Sequence, residues 1–310
     1  MRMTDIDWSQ LNDTIASVSN DKTLRIWDTK TGKLIRTITD DAPIHCCRFH
    51  PENNNAILTG NGRGVVKVYN SSTGKLLQTI SIGSVVKCIT FNTRGDLMFL
   101  GDSEGFVRWY EYDLVEFHWR GQKKIIETKG KSINSIAFRE FHTSISSAEW
   151  PAVLISANDN SIRLFRVVDT NNLQATDNLN KTSLTLEPRS HFVVKNQTAN
   201  VRSCFCPAIS NRTVGCIVSG SEPGSVLILA YPALLTGNQP ITPRDKNNKP
   251  EPALPATEAG ELMTLVNQLQ GHGGTVTAVD WDYDETLLAT ADATGLVIIW
   301  KTKKNVPKSP

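Results

Sequence analysis

Short runs of apolar residues, separated by polar turns, recur along most of the chain. The clearest run is DKTLRIWD at residues 21–28, in which a charged turn leads into an apolar strand that ends on Trp27 and Asp28. Six aligned copies end on a bulky apolar residue in the same slot, at Trp27, Tyr69, Tyr110, Phe165, Leu229 and Trp300. The first two intervals, from 27 to 69 and from 69 to 110, are 42 and 41 residues.

Each copy predicts several strands within one repeat. Two further apolar runs precede the aligned strand, as in TVTAVDW and TLLATADA before LVIIW in the last copy. TGK turns at 31–33 and 73–75 lead into the fourth strands KLIRTIT and KLLQTIS. Near-continuous apolar runs indicate strands buried between neighbouring sheets. A repeat of about 40–45 residues with four strands is typical of a propeller blade. The pattern therefore predicts an all-β, WD40-type β-propeller with six recognisable four-stranded blades.

The repeat spacing also predicts the domain organisation. One propeller domain covers residues 1–303, and residues 304–310 form a disordered tail. Two insertions exceed the repeat period, one polar and Asn-rich at about 169–185 and one proline-rich at about 235–260. Such composition favours flexible surface loops. These loops could contact partners or serve only as solvated connectors, and Thr242 before Pro243 could be a phosphorylation site.

The last copy lacks a fourth strand, because KTKKNVPKSP follows LVIIW directly. We expect Leu296 to Trp300 to form an unpaired apolar edge, which is a template for strand addition. The alternative is a six-bladed ring that closes through adjusted angles between blades.

The repeat signature is incomplete in most copies. The Gly-His pair occurs once, and the aspartate before the third strand occurs only twice. The slot is filled elsewhere by Arg63, Glu104, Pro223 and Thr294. We therefore expect no His–Asp pair within any single blade, so that blade stability depends mainly on apolar packing and the backbone ladder. The retained signature residues are Asp21, Trp27, Asp28, Asp159, Gly271, His272 and Trp300.

Composition and motifs argue against catalysis. The net charge of +2 gives no general attraction to nucleic acid or anionic lipid. The sequence has no apolar run long enough for a membrane span and no secretory signal. Six cysteines without a CxxC pair predict free thiols. We expect no enzyme activity, cofactor or metal, and protein partners rather than a small-molecule substrate, a membrane or directly bound nucleic acid.

One row of polar residues recurs in the first strand of the repeats. It lies one residue before a slot for small side chains such as Cys46 and Cys88. By analogy with other propellers this row is a candidate partner-binding rim, and the alternative is a set of merely exposed residues. The rim residues are His45, Lys87, Asn134, Arg202 and Thr277, with Thr4 as the counterpart in the first repeat.

Several segments of the sequence resemble a known family, and this resemblance implies a function. The segments that carry it are PENNNAILTGNGRGVVKVYNSSTGK, LFRVVD, VRSCFCP, VSGSEPGSV, LQGH and DETLLATADATGLVIIW. They resemble the WD-repeat region of the WD-repeat protein thirteen family, from roughly Met3 to Lys303. The resemblance implies a seven-blade propeller of which this sequence lacks the N-terminal region and first blade. It further implies a nuclear, and in part cytoplasmic, protein that acts in transcriptional co-regulation with transcription or chromatin-associated complexes. The leading hypothesis is thus a non-catalytic interaction scaffold, and the alternative is a chromatin or nucleic-acid-binding module.

Overall fold

A computed structural model describes the strands and most of the short turns of the chain. The described residues are 2–113, 118–126, 128, 130–140, 151–169, 184–194, 201–207, 215–222, 224–231, 261–282, 284 and 286–301. Three predicted segments lie wholly or mostly outside the described residues. They are most of the insertion at 169–185, all of the insertion at 235–260 with Thr242, and the tail at 304–310. The chain divides into two compact units. Unit 1 comprises Met1–Phe138 with Ile155–Asp159, and unit 2 comprises Arg139–Leu154 with Asn160–Pro310.

The first three sheets belong to unit 1, and each is a four-stranded antiparallel blade. Blade 1 consists of β1 (Met3–Trp8), β2 (Thr14–Ser19), β3 (Thr23–Asp28) and β4 (Leu34–Thr39). Blade 2 consists of β5 (Ile44–Phe49), β6 (Ala56–Asn61), β7 (Val65–Asn70) and β8 (Leu76–Ser81). Blade 3 consists of β9 (Val86–Phe91), β10 (Leu97–Asp102), β11 (Phe106–Asp113) and β12 (His118–Ile126).

The remaining three sheets show more variation. Blade 4 consists of β13 (Ile133–Arg139), β14 (Ala152–Ala157), β15 (Ser161–Asp169) and β16 (Leu184–Val193). A fifth strand, β20 (Glu261–Leu262), pairs with β16 in parallel. Blade 5 consists of β17 (Ser203–Phe205), β18 (Gly215–Ser219), β19 (Ser225–Tyr231) and β21 (Thr264–Gln270). Blade 6 has three strands, β22 (Val276–Trp281), β23 (Leu287–Asp292) and β24 (Val297–Lys301).

This architecture confirms the predicted fold class. Five sheets have the outer strand that follows the aligned third strand, and in blade 6 the described part of the chain has none. β24 therefore pairs only with β23 there, with Val297 60% and Ile299 57% exposed. The described residues contain no helix. The single domain over residues 1–303 and the missing seventh blade stay predictions.

The second strand of several blades is buried on both faces and carries a small residue that lets another strand approach. Every residue of β6 and of β14 is buried. A Cβ added to Gly60 would lie 2.7 Å from Cys46 Sγ, and one added to Gly101 would lie 2.5 Å from Ile133 Cγ2. The close approach therefore depends on the absence of a side chain at these positions.

The expectation that no blade holds a His–Asp pair is wrong. In blade 6, His272 Nδ1 lies 3.0 Å from Asp292 Oδ2, and His272 Nε2 lies 2.7 Å from Thr290 Oγ1. Trp300 Nε1 donates to the same Thr290 hydroxyl at 2.8 Å. Asp292 lies two residues before Thr294, which occupies the slot of the turn aspartate in the aligned repeats. The Thr294 hydroxyl and then His272 lower the pKa of Asp292 to about 2, against the opposing effect of burial.

Blades 2 and 3 build other polar clusters around the same turn. Lys67 Nζ donates to Asp40 Oδ1 at 2.7 Å, and Asn61 Nδ2 donates to the same oxygen at 3.2 Å. In blade 3, Arg108 Nη2 and Ser84 Oγ donate to Asp102 Oδ2 at 2.9 and 2.6 Å. A buried ion pair with satisfied hydrogen bonds costs much stability when one partner is removed. Polar clusters therefore accompany the apolar packing and the backbone ladder in these blades, and which of them contributes most to stability stays a prediction.

Candidate partner-binding site

Most of the predicted rim residues lie at β-bulges in the first strand of their blades. The register between first and second strands skips Thr4, His45, Lys87 and Thr277. A bulge bends the strand and re-aims the side chain at that position. The bulge therefore explains why this row accepts polar residues beside a slot for small buried ones.

Within unit 1 the rim residues have different surroundings. Thr4 Oγ1 donates to Ile44 O at 2.6 Å, so this hydroxyl connects the first strands of blades 1 and 2. Burial, and then the charge of Lys87, lower the pKa of His45. Asn134 is buried and donates to Asn158 Oδ1 at 2.6 Å, while its own Oδ1 has no hydrogen-bond partner. The structure thus brings His45 and Lys87 into electrostatic contact.

Within unit 2 the two remaining rim residues meet through their backbones. Arg202, just before β17, donates its amide to Thr277 O at 3.3 Å. Both residues are half-buried. No contact of the rim residues identifies a ligand, so their role in partner binding stays a prediction.

The other signature residues stabilise turns. Asp21 Oδ1 accepts the amide of Thr23 at 3.0 Å, and Asp28 Oδ1 accepts that of Thr31 at 2.7 Å. Trp27 Nε1 donates to Ser17 Oγ at 2.8 Å. Asp159 lies in the turn between β14 and β15. Gly271 precedes His272 in the loop before β22, where an added Cβ would lie 3.1 Å from Trp300. The signature residues thus have structural roles in their own blades, through hydrogen bonds in turns and between strands and through close packing.

A cavity in unit 1 lies at the C-terminal ends of the first strands, whereas the rim residues lie near the N-terminal ends of these strands. It has a volume of about 570 Å³, within the range of about 300–1,000 Å³ that is usual for ligand pockets. Four aromatic residues line it, namely Trp8, Phe49, Phe91 and Phe138. Each ends, or nearly ends, the first strand of its blade. We call this space the aromatic cavity.

Neighbouring rings hold two walls of the aromatic cavity in place. Phe138 stacks on Phe99 with the ring centroids 5.8 Å apart, and Phe91 packs on Trp119 at 5.7 Å. Phe49 is buried, whereas Trp8 is 53% exposed. The cavity therefore combines pre-formed apolar walls with one aromatic side chain available to solvent.

Charged residues of β1 and β5 lie in or next to the wall of the aromatic cavity, which uncharged polar residues also line. Asp7 Oδ2 accepts the amide of Phe49 at 2.7 Å, and Asp5 Oδ2 accepts that of Cys47 at 3.1 Å. Arg48 Nη1 lies 3.1 Å from Asp5 Oδ2 but 3.8 Å from Asp7 Oδ1. Burial is the largest effect on Asp7 and raises its pKa to about 6, although Arg48 acts in the opposite direction. The Asp7 side chain keeps 24% exposure.

Sequence reasoning missed the aromatic cavity, although the sequence contains a signal for it. An aromatic residue stands in the same slot of the first four repeats, at Trp8, Phe49, Phe91 and Phe138. The Asp7 slot is filled by Arg48 and Thr90 in the next two repeats. Aligning the ends of the first strands, and not only their beginnings, would have indicated a shared aromatic surface.

Other kinds of site are not evident in the described ranges. No group of three or more His, Cys, Asp or Glu residues in them could hold a metal ion. No helix with the length and apolar character needed to span a membrane occurs in the same residues. All six cysteines are free, and burial, followed by nearby carboxylates, raises the pKa of Cys47 above its ordinary value.

Comparison with known proteins agrees with this architecture. Residues 263–301 match the family described as WD domain, G-beta repeat, and residues 6–94 match the WD40 domain of anaphase-promoting complex subunit 4. The crystal structure of the Cps50 (Swd1) β-propeller domain from Myceliophteria thermophila is similar, with a TM-score of 0.62. The identity is 15%, and the match covers 97% of this chain and 83% of that chain. The narrower resemblance to the WD-repeat protein thirteen family is not supported by these matches.

Proposed function

We propose that this WD40-repeat β-propeller is a non-catalytic scaffold that binds a protein segment in the aromatic cavity of unit 1. The observation that carries the proposal is the exposed Trp8 beside three aromatic residues that are already packed in place. Aromatic anchors in pre-formed pockets contribute much of the binding energy of protein interfaces. Walls that need no reordering lower the entropic cost of binding.

The test is a selection of displayed peptides on the full chain, followed by affinity measurements on variants. Trp8→Ala removes the exposed aromatic wall, and Leu11→Ala is the matched control because Leu11 is 69% exposed and does not line the cavity. We expect Trp8→Ala to weaken the selected peptides about tenfold or more and Leu11→Ala to leave them unchanged. Peptides that bind both variants equally well would refute the proposal.

The rim is a second candidate surface, supported by the bulged first strands and by the cationic side chain of Lys87 in unit 1. The charge of Lys87 contributes to the lowered pKa of His45, and Lys87 is half-buried. Replacing Lys87 and Arg202 together by alanine should weaken an acidic partner that binds there. Unchanged capture of every partner by the double variant would exclude the rim.

We further propose a nuclear protein, with a cytoplasmic pool, that acts in transcriptional co-regulation through transcription or chromatin-associated complexes. This proposal depends on the sequence resemblance alone. Imaging of the tagged chain, together with a transcription reporter on its depletion, tests it, and an exclusively cytoplasmic signal without a reporter change would contradict it. Direct nucleic-acid binding is the alternative, and a salt-dependent gel shift with the purified chain would favour it.

A further inference from the structure

The charge balance of the aromatic cavity indicates the chemistry of its ligand. Among the residues that the structure describes, Asp7 and Arg48 are the ionisable ones that line it, and Asp5 lies behind them on the same strand as Asp7. Asp5 hydrogen-bonds to Arg48 and offsets its charge, which leaves the Asp7 carboxylate as the negative charge at the cavity wall. Such a cavity favours a ligand that brings one positive charge.

The hydrogen bonds show which carboxylate is available to that ligand. Arg48 Nη1 hydrogen-bonds to Asp5 and to the carbonyl of Cys47, at 3.1 and 2.7 Å. Its distance of 3.8 Å from Asp7 Oδ1 exceeds hydrogen-bond length. A carboxylate has about four lone-pair sites, so Asp7 retains acceptor capacity at the wall of the cavity after bonding to the Phe49 amide.

The aromatic walls favour a planar cation. A guanidinium group stacks on aromatic faces, is less strongly hydrated than an ammonium group and bonds to a carboxylate with two parallel N–H groups. Trp8, which is half-exposed, and Phe91 supply aromatic surface on the same cavity that Asp7 lines.

We propose that the aromatic cavity binds the side chain of an arginine in a partner segment, with Asp7 as its carboxylate acceptor and Trp8 as its stacking surface. This inference rests on the proposed scaffold function and specifies what that site recognises.

The experiment is a titration of the full chain with the peptide acetyl-Gly-Gly-Arg-Gly-Gly-amide, followed by the NMR signal of the Trp8 indole. That signal is assigned by its loss in Trp8→Phe. The same peptide with citrulline in place of arginine keeps the shape of the side chain and lacks its charge. A lysine peptide keeps the charge and lacks the planar guanidinium group. We expect saturable binding of the arginine peptide, and binding about tenfold weaker for each of the other two.

The variants test the two named residues. Asp7→Asn keeps an acceptor for the Phe49 amide, and it should weaken the arginine peptide about tenfold without weakening the citrulline peptide. Trp8→Ala, at an exposed position, should weaken both peptides. Ile6→Ala is the control on the same strand, because Ile6 is 47% exposed and does not line the cavity. Thermal unfolding of each variant verifies that it folds.

Affinity should also fall as the pH is lowered through about 6, because Asp7 then becomes protonated. Asp5 on β1 and Arg48 on β5 are the charged groups that face Asp7, and Arg48 stays charged throughout.

An arginine peptide that binds no better than the citrulline or lysine peptide, or equally well to Asp7→Asn, would overturn the inference. If selected peptides need Trp8 but carry no arginine, the inference fails and the scaffold function stands, whereas peptides that ignore Trp8 refute both.

Discussion

The polar side chains around the turn between second and third strands differ from blade to blade. Blade 6 uses His272 with Asp292, blade 2 uses Lys67 with Asp40, and blade 3 uses Arg108 with Asp102. In each case a buried carboxylate binds a nitrogen donor from another part of the blade. The repeat therefore keeps the interaction and changes the residues that make it.

Removal of His272 should destabilise the protein. In His272→Ala, Asp292 and Thr290 lose hydrogen-bond partners at buried positions, which typically costs about 1–3 kcal/mol of unfolding free energy. Urea denaturation measures the effect. Gln268→Ala, on the exposed face of β21, is the control and should change stability by less than about 0.5 kcal/mol. A loss for His272→Ala no larger than for the control would contradict the structural role of the pair.

Asp7 should make stability depend on pH. Its pKa of about 6 in the folded protein exceeds the ordinary value of 3.8, so the folded state holds more protons than the unfolded state between these values. This group therefore lowers stability as the pH rises from about 4 to 6. Since Asp7→Asn does not titrate, its stability relative to the wild type should rise across that range by about 1–3 kcal/mol.

Denaturation midpoints at several pH values between 4 and 7 test the effect of Asp7. Leu11→Ala, which changes no ionisable group, should run parallel to the wild type. A curve for Asp7→Asn that also runs parallel, or that falls relative to the wild type as pH rises, would show that burial does not raise the pKa of Asp7.

Elements pack closely where the second strand carries a glycine. In Gly101→Ala the new Cβ would meet Ile133 Cγ2 at 2.5 Å and Cys88 Sγ at 2.6 Å. Overpacking of this kind costs about 1–3 kcal/mol, which outweighs the gain of about 0.4–1 kcal/mol from a stiffer unfolded chain. Chemical denaturation should show a net loss. Gly273→Ala is the control, because nothing lies within 4 Å of its Cβ, and equal effects of both changes would contradict the packing argument.

The strands were predictable where local pattern determines them. The apolar runs of the last copy identified β22, β23 and β24, and TGK turns identified the start of β4 and β8. β20 was not predictable, because its two residues pair in parallel with β16, which is about 70 residues earlier in the chain. The role of Asp292 was missed because only the slot six residues before the aligned residue was considered for the acid, whereas Asp292 lies eight residues before Trp300, at the end of β23.

The candidate site was predictable only in part. The sequence placed the rim residues in one row, and the structure shows why four positions of that row, Thr4 included, tolerate polar side chains. The aromatic cavity requires knowing which ends of separate strands meet in space. The charge at the cavity wall depends on the distances from Arg48 to Asp5 and Asp7. These distances do not follow from the spacing of the residues in the sequence.

At the scale of the whole molecule, the same kind of sheet recurs, and each copy presents its own loops and strand ends. Blade-to-blade substitutions at equivalent slots create local differences, such as two acids in β1 where β9 carries Cys88 and Thr90. Such differences give a repetitive fold distinct surfaces for recognition. In this account the aromatic cavity is the principal surface, and the rim is the alternative.

The most direct test of this central claim is the dissociation constant of one selected peptide on four proteins. These are the wild type, Trp8→Ala, Leu11→Ala and the Lys87→Ala/Arg202→Ala double variant. We expect a loss of about tenfold or more for Trp8→Ala alone, with the other two variants equal to the wild type. Full affinity in Trp8→Ala with a loss in the double variant would contradict it and assign binding to the rim.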